Sequence, residues 1–212
     1  MSAKGRIIGI CGGSGSGKTS VLNGIKEKLS GHSITYISMD DYYLPRDKQY
    51  TDENGIKNFD LPTAMDTQQL VQDLDTLESG QQVIKSQYTF NNAKAKESTI
   101  TLYPAKVYII EGLFIYHYAE LKERFDLKIY VDASIDQKII RRIKRDQTER
   151  NYPLEDVLYR YEHHVMPSYK AYIQKYKAEA DLIINNYNTY DKGLDVLVNH
   201  LKTLTTHASI QP

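Results

Sequence analysis

The chain has 212 residues, enough for one sizeable core. Lys plus Arg equals Asp plus Glu at 27 each, so no net charge is available to grip nucleic acid or an anionic membrane in bulk. A hydrophobic share of 41%, a charged share of 25% and one cysteine exclude a disordered chain and an internal disulfide framework.

The start, Met1-Ser2-Ala3-Lys4-Gly5, has no signal-peptide pattern, and no apolar run approaches the ~18–20 residues that cross a bilayer. A soluble, cytoplasmic protein is expected. Arg6 to Cys11 reads as a buried strand. A Gly-rich turn and a helix from about Lys18 to Leu29 follow. Ser33 to Ser38 is a second strand, and 42–62 a long loop of the kind that usually carries function. Asp66 caps a helix through Leu70, Leu74 and Leu77 that Gly80 ends. Val83-Ile84 and Thr99 to Leu102 are short strands flanking a polar loop. Val107 to Ile110 is a central strand, ended by Glu111-Gly112, and Leu127 to Val131 another. Helices are expected over about 135–149, 154–175 and 194–201, with a last strand at Leu182 to Ile184. The alternation predicts an α/β fold with a mostly parallel sheet.

Gly12-Gly13-Ser14-Gly15-Ser16-Gly17-Lys18-Thr19 matches G-x-x-x-x-G-K-[ST] between a strand and a helix, the context that gives the motif meaning. The glycines let backbone N–H groups curl inward as an anion nest, and the following helix adds its dipole. Lys18 would reach the β- and γ-phosphates, and the Thr19 hydroxyl would ligate Mg²⁺. Glu111 and Asp40, each at a strand end, are the candidates to complete the metal site; either could also be a solvated carboxylate. The guanine-reading N-K-x-D of GTPase switches is missing, and Asp52-Glu53-Asn54-Gly55 follows no apolar strand.

Ser134 to Arg150 is a strongly cationic helix in which Ile135, Ile139 and Ile143 form an apolar seam at four-residue spacing. Arg142 and Arg145 share a face. They are either a solvated basic face paired with Asp146 and Glu149, or lid cations for a moving phosphoryl group. His163-His164 is a poor metal pair, because adjacent helical residues diverge. Cys11 reads as a small core residue.

The segments GGSGSGKTS from Gly12, SMDDYY from Ser38, NFDLPTAMD from Asn58, YTF from Tyr88, TLYPAKVYIIEGLF from Thr101 and RRIKRDQTER from Arg141 resemble the uridine kinase family of P-loop nucleoside kinases, related to phosphoribulokinase. The resemblance runs from Arg6 to about Leu201. It implies a P-loop NTPase fold in one domain, with helices on both sheet faces, an acceptor-binding insertion with a small β-hairpin over about 40–105, and a lid over about 141–153. It implies Mg²⁺ and ATP, a small nucleoside acceptor, and a homo-oligomer, commonly a tetramer. Asp40 would be the base for the acceptor 5′-hydroxyl and lie near the metal, with Glu111 holding Mg²⁺ and Lys18 and Thr19 at the phosphates. Gly13 to Ser20, with Ser14, Gly15, Ser16 and Gly17 between, would bind ATP phosphates together with Arg145 and Arg150. Asp60 and Arg142 would grip the ribose hydroxyls, and Phe59, Tyr88 and Phe90 would line the base pocket. Without the resemblance, Asp60 reads equally as a turn cap, and Tyr88 and Phe90 as alternation on a half-buried strand.

The chain departs from that family at the base. Ala93 stands where a His is usual. Glu149-Arg150-Asn151-Tyr152 replaces E-R-G-R, and Arg160 stands where a Gln is common. Lost hydrogen bonds there imply weakened or altered base preference unless Asn91, Asn92 or Tyr152 replaces them. The remaining alternatives are a kinase for another ribosyl or phosphorylated-sugar metabolite, and a nucleotide-binding regulator without turnover.

Overall fold

The computed structural model describes residues 5–88 and 98–206. Five parallel strands form the central sheet in the order β2-β5-β1-β6-β7: β1 Arg6–Cys11, β2 Ile34–Ser38, β5 Val107–Gly112, β6 Leu127–Asp132 and β7 Leu182–Asn185. Ile8 pairs with Ile109 and Ile10 with Ile129. The order reverses on either side of β1, so the carboxyl ends of β1 and its neighbours open a crevice where α/β sheets bind ligands.

Both sheet faces are apolar because alternate residues of each strand point opposite ways. Ile8 and Ile10, with Val107, Ile109, Ile129 and Val131, pack under α1 (Lys18–Lys28) and the C-terminal helix α7 (Asp191–Thr206). Ile7, Cys11, Tyr108, Ile110 and Tyr130 pack on the other side against α2 (Thr67–Glu78). Leu70, Leu74 and Leu77 of α2 are fully buried, each worth about 1.5–3 kcal/mol in removal from water. Asp66 caps α2 as expected, accepting from the Gln69 N–H at 3.0 Å. Cys11 is a core residue, its thiol pushed up to about 12 by burial.

β3 (Val83–Ser86) and β4 (Thr99–Leu102) form the small antiparallel hairpin. A short helix, α3 (Ala119–Lys122), lies between β5 and β6. After β6 come α4 (Ile135–Thr148) and α5 (Leu154–Arg160). The expected helix over 154–175 is not a single α-helix. It continues instead through a π turn at Tyr161–Val165, the short α6 (Met166–Ser168), a second π turn at Tyr169–Ile173 and a 3₁₀ turn at Gln174–Lys177. The 42–62 loop is more ordered than its composition suggests. It holds a 3₁₀ turn at Arg46–Lys48 and a Thr51↔Lys57 bridge, and it is flanked by 3₁₀ turns at Met39–Tyr42 and Pro62–Ala64.

One expectation is corrected. The seam of Ile135, Ile139 and Ile143 is not the buried face of α4: Ile135 is 53% exposed. The buried stripe is Lys138, Arg142 and Asp146. The reason is the partner, because α4 lies on the polar loop after β1. A Cβ at Gly15 (φ +78°) would strike the Lys138 carbonyl, so that position needs glycine both for space and for its backbone angle.

Candidate active site

The loop Gly12 to Gly17 leaves β1 at its carboxyl end and feeds α1, whose first residue is Lys18. The Lys18 Nζ donates to the carbonyls of Gly12 (3.0 Å) and Gly13 (3.3 Å), so its charge is folded over the loop. Gly17 takes φ +101° against the Asn186 side chain, whose amide donates to the Ser16 carbonyl at 2.8 Å. Ser14, Gly15, Gly17, Lys18, Thr19 and Ser20 face a cleft of about 300 Å³. Ser16 does not face it. Its side chain is fully buried and its N–H donates to Gly13 at 3.0 Å, so Ser16 and Gly13 hold the shape of the loop from behind.

Two carboxylates stand opposite the loop. Glu111, near the end of β5, is buried and accepts from the Ser38 hydroxyl at 2.8 Å. The same hydroxyl accepts from the Asp40 N–H at 3.3 Å. Burial, then the nearby charge of Asp40, pushes the Glu111 carboxyl up against the pull of Lys18. A like-charged pair in a buried setting is the arrangement that a divalent cation relieves.

The far end of the cleft is aromatic and charged. Tyr43 lies edge-on to Phe59 at 5.8 Å and tilted against Tyr88 at 5.1 Å. Arg46 sits over the Phe59 ring at 5.9 Å. The Tyr88 N–H donates to Asp41 at 3.1 Å. Asp60 faces Arg142, Oδ1 to Nη1 at 3.3 Å, and both side chains are nearly buried. The turn-cap role belongs to Asn58, whose Oδ1 accepts from the Asp60 N–H at 2.9 Å. Arg142 also donates to the Ser14 hydroxyl at 2.9 Å, joining the phosphate loop to Asp60. Phe90 and Ala93 lie outside the described residues. Tyr152 and Arg160 both line the cleft, with the Arg160 guanidinium over the Tyr152 ring at 5.2 Å and its Nη1 donating to the Lys57 carbonyl at 2.8 Å.

Arg142, Arg145 and Arg150 converge on one acid. Asp146 lies 3.1 Å from Arg142 Nε, 2.8 Å from Arg145 Nη2 and 3.3 Å from Arg150 Nη1. Burial, then the neighbouring Arg145, lowers the Arg150 guanidinium from its ordinary range. Asp146 therefore forms the ion pairs its position in the helix suggests, but buried among cations rather than on a solvated face. The sequence reading missed Tyr43, Arg46 and Arg141 as cleft residues. Tyr43 and Arg141 were within reach, since they belong to the SMDDYY and RRIKRDQTER segments; no spacing rule points to Arg46. His163 is exposed while His164 is buried against Asp52, and no group of three metal-ligating side chains occurs among the described residues.

A phosphate loop at the edge of a parallel sheet, with facing carboxylates and an arginine cluster, defines a P-loop phosphotransferase. Residues 7–192 match the Phosphoribulokinase / Uridine kinase family, and the chain belongs to it. It is 38% identical over 202 residues to a protein named uridine kinase in Macrococcus caseolyticus, covering 95% of this chain and 98% of that one. It is 36% identical over 204 residues to a uridine kinase of Bacillus pumilus, covering 96% and 97%. In fold it is similar to a possible uridine kinase from Bacillus stearothermophilus (TM-score 0.56, 24% identity, 86% and 90% covered). It is likewise similar to phosphoribulokinase from Rhodobacter spheroides (TM-score 0.58, 20% identity, 87% and 71% covered). No helix among the described residues is long and apolar enough to cross a membrane.

Proposed function

We propose that this chain transfers the γ-phosphoryl group of ATP to the 5′-hydroxyl of a ribonucleoside, with uridine and cytidine as acceptors. The observation that carries the reading is one cleft with a phosphate loop at one end and the Asp60–Arg142 pair, flanked by Tyr43, Phe59 and Tyr88, at the other. A carboxylate that accepts and a guanidinium that donates suit a ribose cis-diol, and the rings suit a base. The 35–38% identity to proteins named uridine kinase supports the acceptor.

Asp40, between the two ends, would accept the 5′-hydroxyl proton. The loop N–H groups and Lys18 would hold the β- and γ-phosphates for in-line attack, without a covalent intermediate. Glu111, Asp40 and the Thr19 hydroxyl fit a Mg²⁺ ion, whose chemistry when bound is to neutralise phosphate charge. Arg145 and Arg150 would exchange Asp146 for phosphate as the lid closes. A depression of about 280 Å³ beside the loop, lined by Gly17, Arg141, Asn186 and Tyr190, would take the adenosine half. The proposal includes a single domain with an acceptor insertion over about 40–105 and a lid over about 141–153, in a cytoplasmic homo-oligomer, a tetramer by family resemblance.

The test is a screen of the purified protein with Mg·ATP against uridine, cytidine, adenosine, guanosine and sugar phosphates, with product identification. Formation of UMP and CMP is expected. Turnover with sugar phosphates alone, or ATP consumption that no nucleoside stimulates, overturns the reading.

A further inference from the structure

The wall that carries Phe59 and Asp60 emerges from a long loop, and such a loop pays a large entropy cost to hold two side chains in place. Residues 50–58 meet that cost by closing on themselves. The Asn58 N–H donates to Tyr50 at 2.8 Å, Thr51 bridges Lys57, and the Asp52 N–H donates to Ile56 at 3.0 Å. Phe59 and Asp60 follow directly. The closed finger is tied to the helical segment that starts at Leu154 at three points: the Asn54 side-chain amide donates to the Tyr159 hydroxyl (2.7 Å), the Lys57 carbonyl accepts from Arg160 (2.8 Å), and Asp52 makes the densest contact. The Asp52 carboxylate accepts from the Ile56 N–H (2.8 Å), the Asn54 N–H (3.0 Å), the Tyr159 hydroxyl (2.9 Å) and His164 Nε2 (2.7 Å).

The chemistry of the tie can be worked out. Burial opposes ionisation of Asp52, but the Ile56 N–H, His164, Tyr159 and the Asn54 N–H outweigh it and hold the carboxyl down at about 2. An ionised carboxylate only accepts, so the proton between the two side chains sits on His164 Nε2. His164 is buried, and its Nδ1 has no hydrogen-bond partner among the described residues. A buried unpartnered nitrogen costs stability, so its presence calls for a compensating role. His164 also lies in the π turn Tyr161–Val165, a local insertion of the sort that collects at functional sites. Neither Asp52 nor His164 lines the cleft.

We infer that Asp52, Tyr159 and His164 form a latch whose role is to position the Phe59–Asp60 wall, so that acceptor affinity depends on residues that never touch the acceptor. They are positioning residues, not catalytic ones. The inference rests on the reading of that wall as the acceptor site.

The test is kinetic and uses the full chain. Tyr159→Phe removes one hydroxyl at a partly exposed site, with little risk to folding. His164→Ala removes the buried donor, and His164→Gln restores an amide donor near the Nε2 position. For the nucleoside the wild type turns over best, His164→Ala should raise KM roughly tenfold and Tyr159→Phe several-fold. KM for ATP should stay within about twofold, and His164→Gln should recover most of the loss. Equal changes in both KM values, or a lowered Tm with acceptor KM unmoved, overturn the latch. Hydrogen exchange of amides 50–60 supplies an independent arm. It should speed up in His164→Ala while that of Gly12 to Lys18 does not; unchanged exchange overturns the latch. If the wild type turns over no nucleoside, the acceptor reading fails, and the exchange measurement still decides whether the latch holds the wall.

Discussion

The two ends of the cleft are built by different means. The core of the phosphate end is one contiguous stretch, Gly12 to Thr19, shaped by its own glycines, with Asn186 and α4 packed against it. The acceptor end is assembled from residues more than a hundred positions apart, such as Lys57 with Arg160 and Asp52 with His164. On the proposed reading the first end would bind a group that is the same in every member of the class, and most of it lies in one motif. The second would distinguish small molecules, and side-chain hydrogen bonds across the fold set its shape. The contrast predicts that damage at the phosphate end abolishes the reaction, while damage at the acceptor end changes which molecule is used.

The largest effect is expected at Lys18. Its ammonium is the cation folded over the loop, so Lys18→Ala should cut turnover by about 10³ or more and weaken ATP binding with it. Near-normal turnover would remove the phosphate loop from the mechanism. Asp40→Asn comes next. It keeps the shape and removes a proton acceptor, so kcat should fall by roughly 10²–10⁴ while ATP binding, measured by calorimetry, persists. An active Asp40→Asn protein would shift the base to another carboxylate, with Asp41 first to examine.

How much of this was legible in the chain follows the same division. The sheet was legible because buried parallel strands read as apolar runs, as Val107 to Ile110 does, and the motif placed the phosphate end on β1 and α1. The ends of elements were less so: α7 starts at Asp191 and runs to Thr206, beyond the expected 194–201, since its last turns pack by contacts that no local pattern announces. The face of α4 was misread because period alone finds an apolar stripe, whereas this helix buries charge against a polar loop. The 3₁₀ turns between 39 and 64 were not legible either. Gln49 holds that region by donating to the carbonyls of Leu44 (2.7 Å) and Ala64 (3.2 Å), and nothing in the composition of the loop points to that glutamine.

At the acceptor end a smaller and more selective effect is expected. Asp60→Asn leaves the phosphate loop intact but removes the charge that faces Arg142 and the proposed diol. KM for uridine should rise roughly 10–100-fold, with KM for ATP little changed. The preference for uridine over 2′-deoxyuridine should shrink, because the lost acceptor is the one assigned to the sugar hydroxyls. If Asp60→Asn instead impaired both acceptors equally and lowered ATP affinity, the pair would belong to the phosphate end through Ser14, and the division drawn above would fail there.

The smallest effect, and the one that bears most on specificity, is expected at Arg160. Its guanidinium is held from two sides, by the Lys57 carbonyl and by the Tyr152 ring, at the end of the cleft assigned to the base. By resemblance, Tyr152 and Arg160 stand where the family usually carries Arg and Gln, so they are where this chain would read the base in its own way. Arg160→Gln keeps one donor and allows water to reach Lys57, so the loss should be partial. One hydrogen bond to a polar base edge corresponds to roughly 5-fold at its lower bound. The ratio of kcat/KM for uridine to that for cytidine, and of each to adenosine, should therefore shift about 5-fold in Arg160→Gln, with the ATP KM unchanged. An unmoved ratio would place base reading elsewhere on the wall. A uniform loss with every nucleoside would make Arg160 a tie for the 50–58 finger alone, adding it to the residues that position the wall without choosing the substrate.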